Sequence, residues 1–204
     1  MSSLILAAKP PYPNWRFYPS RDPAPDWVAD LVGAFAKASG AIDSRVHTGV
    51  SSDQVLAAVR PALVANGYLI EAGKTKADKI TRPVLYGENG RTQVAYDVGG
   101  FQPEHQVVLE VEAGRGAANN ADYRDIIRAS LMVDARYLAL AMMLDYRGGN
   151  QTLKSYEQTR ARVDAIYASD RLKLPLGAWV TMRFPADFRP FRGSDQKGKA
   201  LGGA

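Results

Sequence analysis

The sequence predicts an α/β domain in which a mixed β-sheet lies between layers of helices. Three observations predict it. Apolar residues recur at helical spacing in four segments, 26–39, 51–66, 120–134 and 151–168. Between these segments lie short apolar runs, alternating or continuous, of the kind that form half-buried and fully buried strands. No repeat at solenoid periods occurs in the 204 residues, a length that suits one domain with a sizeable core and falls short of two full ones.

Six of the twelve prolines fall in the first 25 residues, within KPPYPNWRFYPSRDPAPDW. Proline fixes φ and removes a donor, so this stretch reads as an extended arm with local turns. Its aromatics Tyr12, Trp15, Phe17 and Tyr18 read as packing onto the domain's own surface or a dimer partner, with a nucleic acid as the alternative. The first helix, 26–39, has Asp26 as its expected N-cap and Gly40 as its expected stop. The second is capped by Ser51, Ser52 or Asp53, presents Val55, Leu56, Val59, Leu63 and Val64 on one face, and ends at Asn66-Gly67.

The period then changes. GYLIEAGK reads as a short strand, and KTKADKITRPVLYGENG as a basic connection closing in a turn at Asn89-Gly90. RTQVAYDVGGF and QVVLEVEA follow as strands separated by a Pro103-Glu104 turn. The helix at 120–134, with Asn119 or Asn120 as its cap, is expected to turn Tyr123, Ile126, Ile127 and Leu131 to one side. RYLALAMML is brief enough to favour a buried strand over a helix, and a last helix fits 151–168. The order is helix, three strands, helix, strand, helix. Residues 1–50 are thus an arm and N-terminal helix packed on the core, 51–170 the α/β core, and 171–204 a basic extension whose end frays.

Composition excludes several classes. No cysteine is present, so disulfide scaffolds, cysteine–zinc sites and thiol nucleophiles are out. Two histidines, His47 and His105, leave little material for a histidine metal site or a Ser-His-Asp triad. No apolar run reaches the length of a membrane span and the start does not resemble a signal peptide, so a cytoplasmic protein without a membrane partner is expected. GRGAANN is followed by no GKS or GKT, and no nucleotide cofactor is expected. The net charge is +5. From Arg147 onward eleven Lys/Arg stand against five Asp/Glu, whereas the first 146 residues hold fifteen against sixteen, a bias that suits a polyanionic partner.

The acids carry the chemistry. Glu110 and Glu112 lie two apart in VVLEVEA, so they project from the same face of a strand whose other residues are apolar. Two carboxylates on a buried strand are costly unless a cation or protons compensate. Asp97, thirteen residues earlier, approaches the same end of the sheet if the two strands form an aligned hairpin. Three acids at one spot without histidine or cysteine match a hard, oxygen-preferring cation such as Mg²⁺ or Mn²⁺. The competing structural reading is an edge strand with two solvated acids, which the apolar neighbours oppose.

The segment YDVGGFQPEHQVVLEVEAGRG resembles the active-site hairpin of the PD-(D/E)XK nuclease superfamily, the restriction-endonuclease-like fold. In that pattern an acid on one strand is followed by acid-x-Lys on the next. Asp97 matches the first acid and Glu110 the second, while Glu112 stands where lysine usually stands, as in the E-x-E variants among type II restriction enzymes. The resemblance implies a three-layer fold with a central mixed sheet and a metal-dependent endonuclease acting on DNA. It also implies a metal held by Asp97, Glu110 and the backbone carbonyl of Val111, with Glu112 orienting or deprotonating the attacking water. Glu71, at the end of the first core strand, is a candidate outer ligand; its structural alternative is a surface acid.

Lys74, Lys76, Lys79, Arg82 and Arg91 precede the hairpin, and Arg115, Arg124 and Arg128 follow it. Arg124 and Arg128 share a helix face and, with Arg115 and Lys74, are candidates for holding phosphates. Pairing with Asp122, Asp125 or Asp134 is the structural alternative. A double-strand cut needs two sites, so a homodimer is expected. Two rival functions remain. A retaining glycosidase also uses close carboxylates, but they flank the scissile bond, and the basic surroundings suit phosphates better than neutral sugars. A nuclease-like module that binds nucleic acid or assembles a complex without cleaving keeps the fold and drops the chemistry.

Overall fold

The computed structural model describes residues 13–43, 50–113, 119–144, 146–148, 151–169, 171–176 and 178–184, with 146–148, 151–153 and 178–184 described by their backbone alone. The strands are β1 (Asn14–Tyr18), β2 (Leu69–Ile70), β3 (Ile80–Tyr86), β4 (Thr92–Val98), β5 (Gly100–Gln102), β6 (Val107–Glu112), β7 (Tyr137–Met143), β8 (Tyr146–Gly148), β9 (Gln151–Leu153) and β10 (Ala178–Phe184). The helices are α1 (Asp26–Lys37), α2 (Ser39–Ile42), α3 (Ser52–Ala65), α4 (Ala121–Leu131) and α5 (Ser155–Ala168).

Six strands form the central sheet in the order β1-β10-β7-β6-β5-β2. β10, β7 and β6 run parallel, while β1, β5 and β2 are antiparallel to their neighbours, so the sheet is mixed. Alternate residues of the central strands feed two cores. Val107, Leu109, Ala139 and Ala141 pack with Trp27, Leu31, Phe35, Val55, Val59 and Leu63 of α1 and α3. Val108, Leu138, Leu140 and Met142 pack with Ile126, Tyr156 and Val163 of α4 and α5. The period of two sorts one continuous apolar run onto both faces, which gives the three-layer α/β architecture that the sequence predicts.

Local sequence accounts for the element ends. Ser51 Oγ accepts the Gln54 N–H at 3.3 Å and Gln54 Oε1 accepts the Ser51 N–H at 2.8 Å, a reciprocal cap on α3. Gly67, at φ +78°, ends the same helix. Val64, expected on its apolar face, is instead exposed. In α1 the cap position falls on Pro25 rather than Asp26, which is the first helical residue. Gly40 does not stop the chain's helical course, because it keeps a negative φ inside α2.

Three further expectations change. The basic connection at 74–90 contains β3, which pairs with β4 as a separate two-stranded ribbon around the Asn89-Gly90 turn. Pro83 and a register shift beside it erase the alternation that would announce a strand. α4 does not bury the face its apolar residues suggest: Tyr123, Ile127 and Leu131 are exposed, and Asp122, Asp125, Ile126 and Ala129 are inside. Asp122 is accommodated because Arg162 binds both its oxygens, at 2.7 and 2.8 Å, and Thr159 donates at 2.8 Å. Finally, β1 from the proline-rich arm and β10 from the basic extension are strands of the central sheet, so that sheet draws on segments outside 51–170. Residues 185–204, with most of the extension's basic residues, lie outside the described residues.

Among the described residues no helix is long and apolar enough to cross a membrane. Leu140 is fully buried at the centre of β7. Leu140→Ala is expected to cost about 2–5 kcal/mol, read as a lower denaturant midpoint with little change in slope.

Candidate active site

The site opens where the sheet is interrupted. β5 has three residues, pairing with Val107, Val108 and Leu109, so β6 has no main-sheet neighbour on that side from Glu110 onward. The chain leaves the ribbon at Val98, bends through Gly99 and enters the sheet at Gly100. The gap forms a cleft of about 340 Å³. Its walls include Ser52 and Leu56 of α3, Glu71, Lys79, Asp97, Gly99, Glu110, Val111 and Arg128.

Each acid is held differently. Asp97, exposed at the end of β4, receives a hydrogen bond on Oδ1 from the Thr81 hydroxyl of the facing strand at 3.0 Å. Its carbonyl accepts from Arg128 Nη2 at 2.5 Å, and the Arg128 guanidinium lies 5.1 Å from the Tyr96 ring centroid. Glu110 Oε2 accepts the Gly99 N–H at 3.3 Å. Burial pushes Glu110 up to about 8, with the Asp125 charge adding to the rise and Arg128 and the Gly99 N–H opposing it. Glu71 Oε2 lies 2.7 Å from Lys79 Nζ, and Arg60 donates to the Glu71 carbonyl. Glu71 is therefore an ion-paired member of the cleft wall.

Glu112 departs from the expected convergence. It is not among the cleft-lining residues; Arg124 Nη2 lies 3.6 Å from its Oε1, and its carboxyl hydrogen-bonds Asp125 of α4. Burial pushes Glu112 up to about 7, with Asp125 the next cause, and burial also raises Asp125. Asp125 Oδ2 is buried without a donor when its neighbours are ionised, and a proton kept on Glu112 offers one. The acids of this chain thus form two neighbouring groups along one face of β6. Asp53, Glu71, Asp97 and Glu110 line the cleft, while Glu112 pairs with Asp125 of α4.

The donors facing the cleft are all oxygens, which fits a hard divalent cation. Among the described residues no three acids or histidines stand together as a closed metal centre. An ion here would rest on Asp97, Glu110, the Val111 carbonyl and solvent, a ligand set that suits Mg²⁺, which keeps several of its waters. Of the expected phosphate contacts, Arg128 lines the cleft, Arg124 is engaged by Glu112 and Asp125, and exposed Lys74 pairs with Asp53 at 2.7 Å. Arg115 lies outside the described residues. Asp122 and Asp134 pair with Arg162 and Arg82, leaving Asp125 as the helix acid that Arg124 contacts. Sequence reasoning gave no role to Thr81, counted Lys79 only among the basic residues before the hairpin, and weighed Asp125 only as an ion-pair partner of Arg124 or Arg128, never as a partner of Glu112.

A larger cavity of about 580 Å³ lies at the far edge of the sheet beside Tyr18, Tyr167 and Leu174. Its one acid, Asp164, accepts from Tyr18 at 2.9 Å, and none of the motif acids reaches it. The cleft at β6, lined by the four carboxylates of Asp53, Glu71, Asp97 and Glu110 and by the two cations of Lys79 and Arg128, has the chemistry.

No family model matches the chain, and no curated protein does. Among solved structures the chain is similar to restriction endonuclease BglII, in a crystal structure of its complex with a DNA 16-mer. The TM-score is 0.48 and the identity 12%, over 86% of this chain and 77% of that one.

The raised Glu110 makes stability depend on pH. Between its ordinary value of 4.5 and about 8, the folded chain keeps a proton that the unfolded chain has lost. Unfolding free energy therefore falls as pH rises through that window. Without divalent cation, Glu110→Gln is expected to flatten the fall and to melt above wild type at about pH 8. A wild-type melting temperature that climbs across the window would contradict this assignment.

Proposed function

We propose that this protein is a metal-dependent nuclease that hydrolyses DNA phosphodiester bonds, in the manner of a type II restriction enzyme. The observation that carries the reading is that Asp97, Glu110 and Val111 line one cleft together with Arg128 and Lys79. Asp97, Glu110 and the Val111 carbonyl hold Mg²⁺ or Mn²⁺. When bound, the ion stabilises charge on the phosphoryl oxygens and makes a water acidic enough to attack.

The chain's own groups do the rest. Thr81 holds one oxygen of Asp97 and leaves the other for the ion. The Gly99 N–H fixes Glu110 from the opposite side. Glu112 follows Glu110 on the same face, roughly 7 Å along the strand, and takes the proton of the attacking water once its carboxyl has turned from Asp125 to the cleft. A carboxyl pushed up to about 7 is part protonated near neutral pH, which suits a group that must accept a proton. Arg128, braced on the Asp97 carbonyl, faces the phosphate, and Arg115 and Arg124 hold flanking phosphates. Two copies of the chain supply the two sites that a double-strand cut needs.

One observation favours a second reading, a nuclease-like module that binds nucleic acid without cleaving it: the described acids form no closed group of three. Cleavage separates the two readings. Asp97→Ala or Glu110→Ala is expected to abolish cleavage of mixed-sequence plasmid DNA with Mg²⁺ or Mn²⁺ while keeping the fold. Glu110→Ala should also melt higher than wild type at neutral pH, since it removes a desolvated acid. Glu112→Lys restores the commoner motif and is expected to keep metal binding, measured by calorimetry, with part of the activity. A wild type that binds neither ion and cuts no DNA in a panel of mixed sequences would leave the binding module as the surviving reading.

DNA affinity is expected to fall steeply with salt, by about 0.9 released counterions for each phosphate neutralised. Anisotropy titrations across a salt series check this, and affinity indifferent to salt would remove phosphate contacts from the account.

A further inference from the structure

We infer that the cavity at the far edge of the sheet binds a nucleotide, its base against the tyrosine wall and Asp164, its phosphate at Arg21 and Lys173. The inference is independent of the nuclease reading and adds a second site to the molecule. The cavity, about 580 Å³, falls in the size range of small-molecule sites. Three segments wall it: the turn after β1, the last turn of α5 and the connection that follows α5. Tyr18 pairs with Trp179, Trp179 with Leu138 and Leu138 with Val108, so three strand spacings, roughly 14 Å, separate the cavity from β6. It shares no lining residue with the cleft.

The wall combines three chemistries. Tyr18 and Tyr167 are stacked, ring centroids 5.4 Å apart and planes inclined by 23°. With Ile166, Leu174 and Leu176 they form an aromatic and aliphatic surface of the kind on which a base stacks. Asp164 is the acceptor. The Tyr18 hydroxyl donates to its Oδ1 at 2.9 Å and Arg16 Nη1 approaches the same oxygen to 3.5 Å, while Oδ2 takes no hydrogen bond among the described residues. The N–H groups of a base edge suit that oxygen. Arg21 and Lys173 bring positive charge. The Arg21 side chain is 86% exposed and lies 3.8 Å from Asp22 of its own turn, a loose contact that a phosphate can replace. A hydrocarbon would strand the Asp164 oxygen, a cation would meet Arg21 and Lys173, and a bare phosphate would leave the rings unused. A planar ring with N–H donors and an attached anion answers all three, and that is the chemistry of a nucleotide. The site uses no glycine-rich loop, so the missing P-loop signature in GRGAANN does not bear on it.

The structural alternative is a solvent-filled gap beside the sheet edge. Calorimetric titration of the whole chain without divalent metal separates the two, with 5′-GMP, guanosine and inorganic phosphate as probes. Guanine is chosen because it carries adjacent N–H donors on one edge. GMP is expected to saturate one site with a Kd below about 1 mM, and guanosine or phosphate alone to bind at least about tenfold more weakly. Asp164→Asn keeps an acceptor for the Tyr18 hydroxyl but turns an N–H₂ group to the base. It is expected to weaken GMP about tenfold and to leave phosphate unchanged. Arg21→Glu, at a side chain too exposed to disturb the fold, is expected to weaken GMP about tenfold and to leave guanosine unchanged. If Asp164→Asn lowers the melting temperature, Arg21→Glu alone decides. Arg128→Gln reports on the cleft and is expected to bind GMP as wild type does. A 5′-phosphorylated single-stranded hexanucleotide distinguishes two sources of the same chemistry. Affinity equal to that of GMP marks a free nucleotide, and affinity about tenfold tighter, lost in both cavity variants, marks an unpaired nucleotide of a strand. No binding up to about 10 mM GMP would overturn the inference. So would binding that Arg128→Gln removes and Arg21→Glu leaves intact, which puts the nucleotide in the cleft. The nuclease reading is tested by cleavage and stands or falls separately.

Discussion

A carboxylate set on a central strand must be answered by its surroundings, and Glu110 imposes that constraint on this fold. Its neighbours on β6 are buried apolar residues, and desolvation alone favours its protonated form. The surroundings answer with the Gly99 N–H, the Arg128 guanidinium and an open sheet edge that admits solvent or a cation. Each of these depends on β5 ending opposite Leu109. A longer β5 would pair with Glu110 and close the cleft.

Gly99 makes that ending possible. A Cβ there would stand 3.1 Å from the Leu109 carbonyl oxygen, closer than a side chain tolerates comfortably, and at ordinary contact distance, 3.5 Å, from Glu110 Oε2. The close approach lets the backbone N–H reach Glu110 and lets the chain pass from ribbon to sheet within one residue. Asp97 then stays on the ribbon, whose position is set by Arg82. That guanidinium lies 3.9 Å from the Phe101 ring centroid and pairs with Asp134, while the Val133 N–H donates to the Pro83 carbonyl at 3.1 Å. Asp97 is thus placed by a contact between the ribbon and the end of α4.

α4 carries polar residues inward for the same reason. Asp122 is neutralised by Arg162 and Thr159 of α5, which locks the two helices together across a charged contact. Asp125 turns toward Glu112 and raises its affinity for a proton. The inner face of this helix therefore adds to the protonation that burial already favours on β6, and its apolar residues Tyr123, Ile127 and Leu131 are left outside.

The periodicities of the chain were enough to define the helices, the apolar strands and the α/β class. α3 and β7 fall within the expected segments because capping residues, a Gly67 stop and a short apolar run are local signals. The shared face of Glu110 and Glu112 was legible too, since two residues two apart on an apolar strand project to one side by the geometry of any strand. What local spacing could not carry was pairing between distant segments. The partner of β4 is β3 rather than β6, because an edge-like ribbon interrupted by Pro83 pairs through backbone groups that leave no mark in side-chain pattern. β1 and β10 pair with each other and join the sheet from opposite ends of the chain. The burial of Asp122 and Asp125 was hidden for a related reason: an acid reads as surface until the basic or carboxyl partner from another element is known. The spacing of residues along a strand or helix therefore determined which elements form and which face Glu110 and Glu112 share. Only the packing of those elements decided that Asp97, Glu71 and Lys79 meet Glu110 while Glu112 turns to Asp125, because the desolvation and charge pairing behind that sorting exist only between segments brought together by the fold.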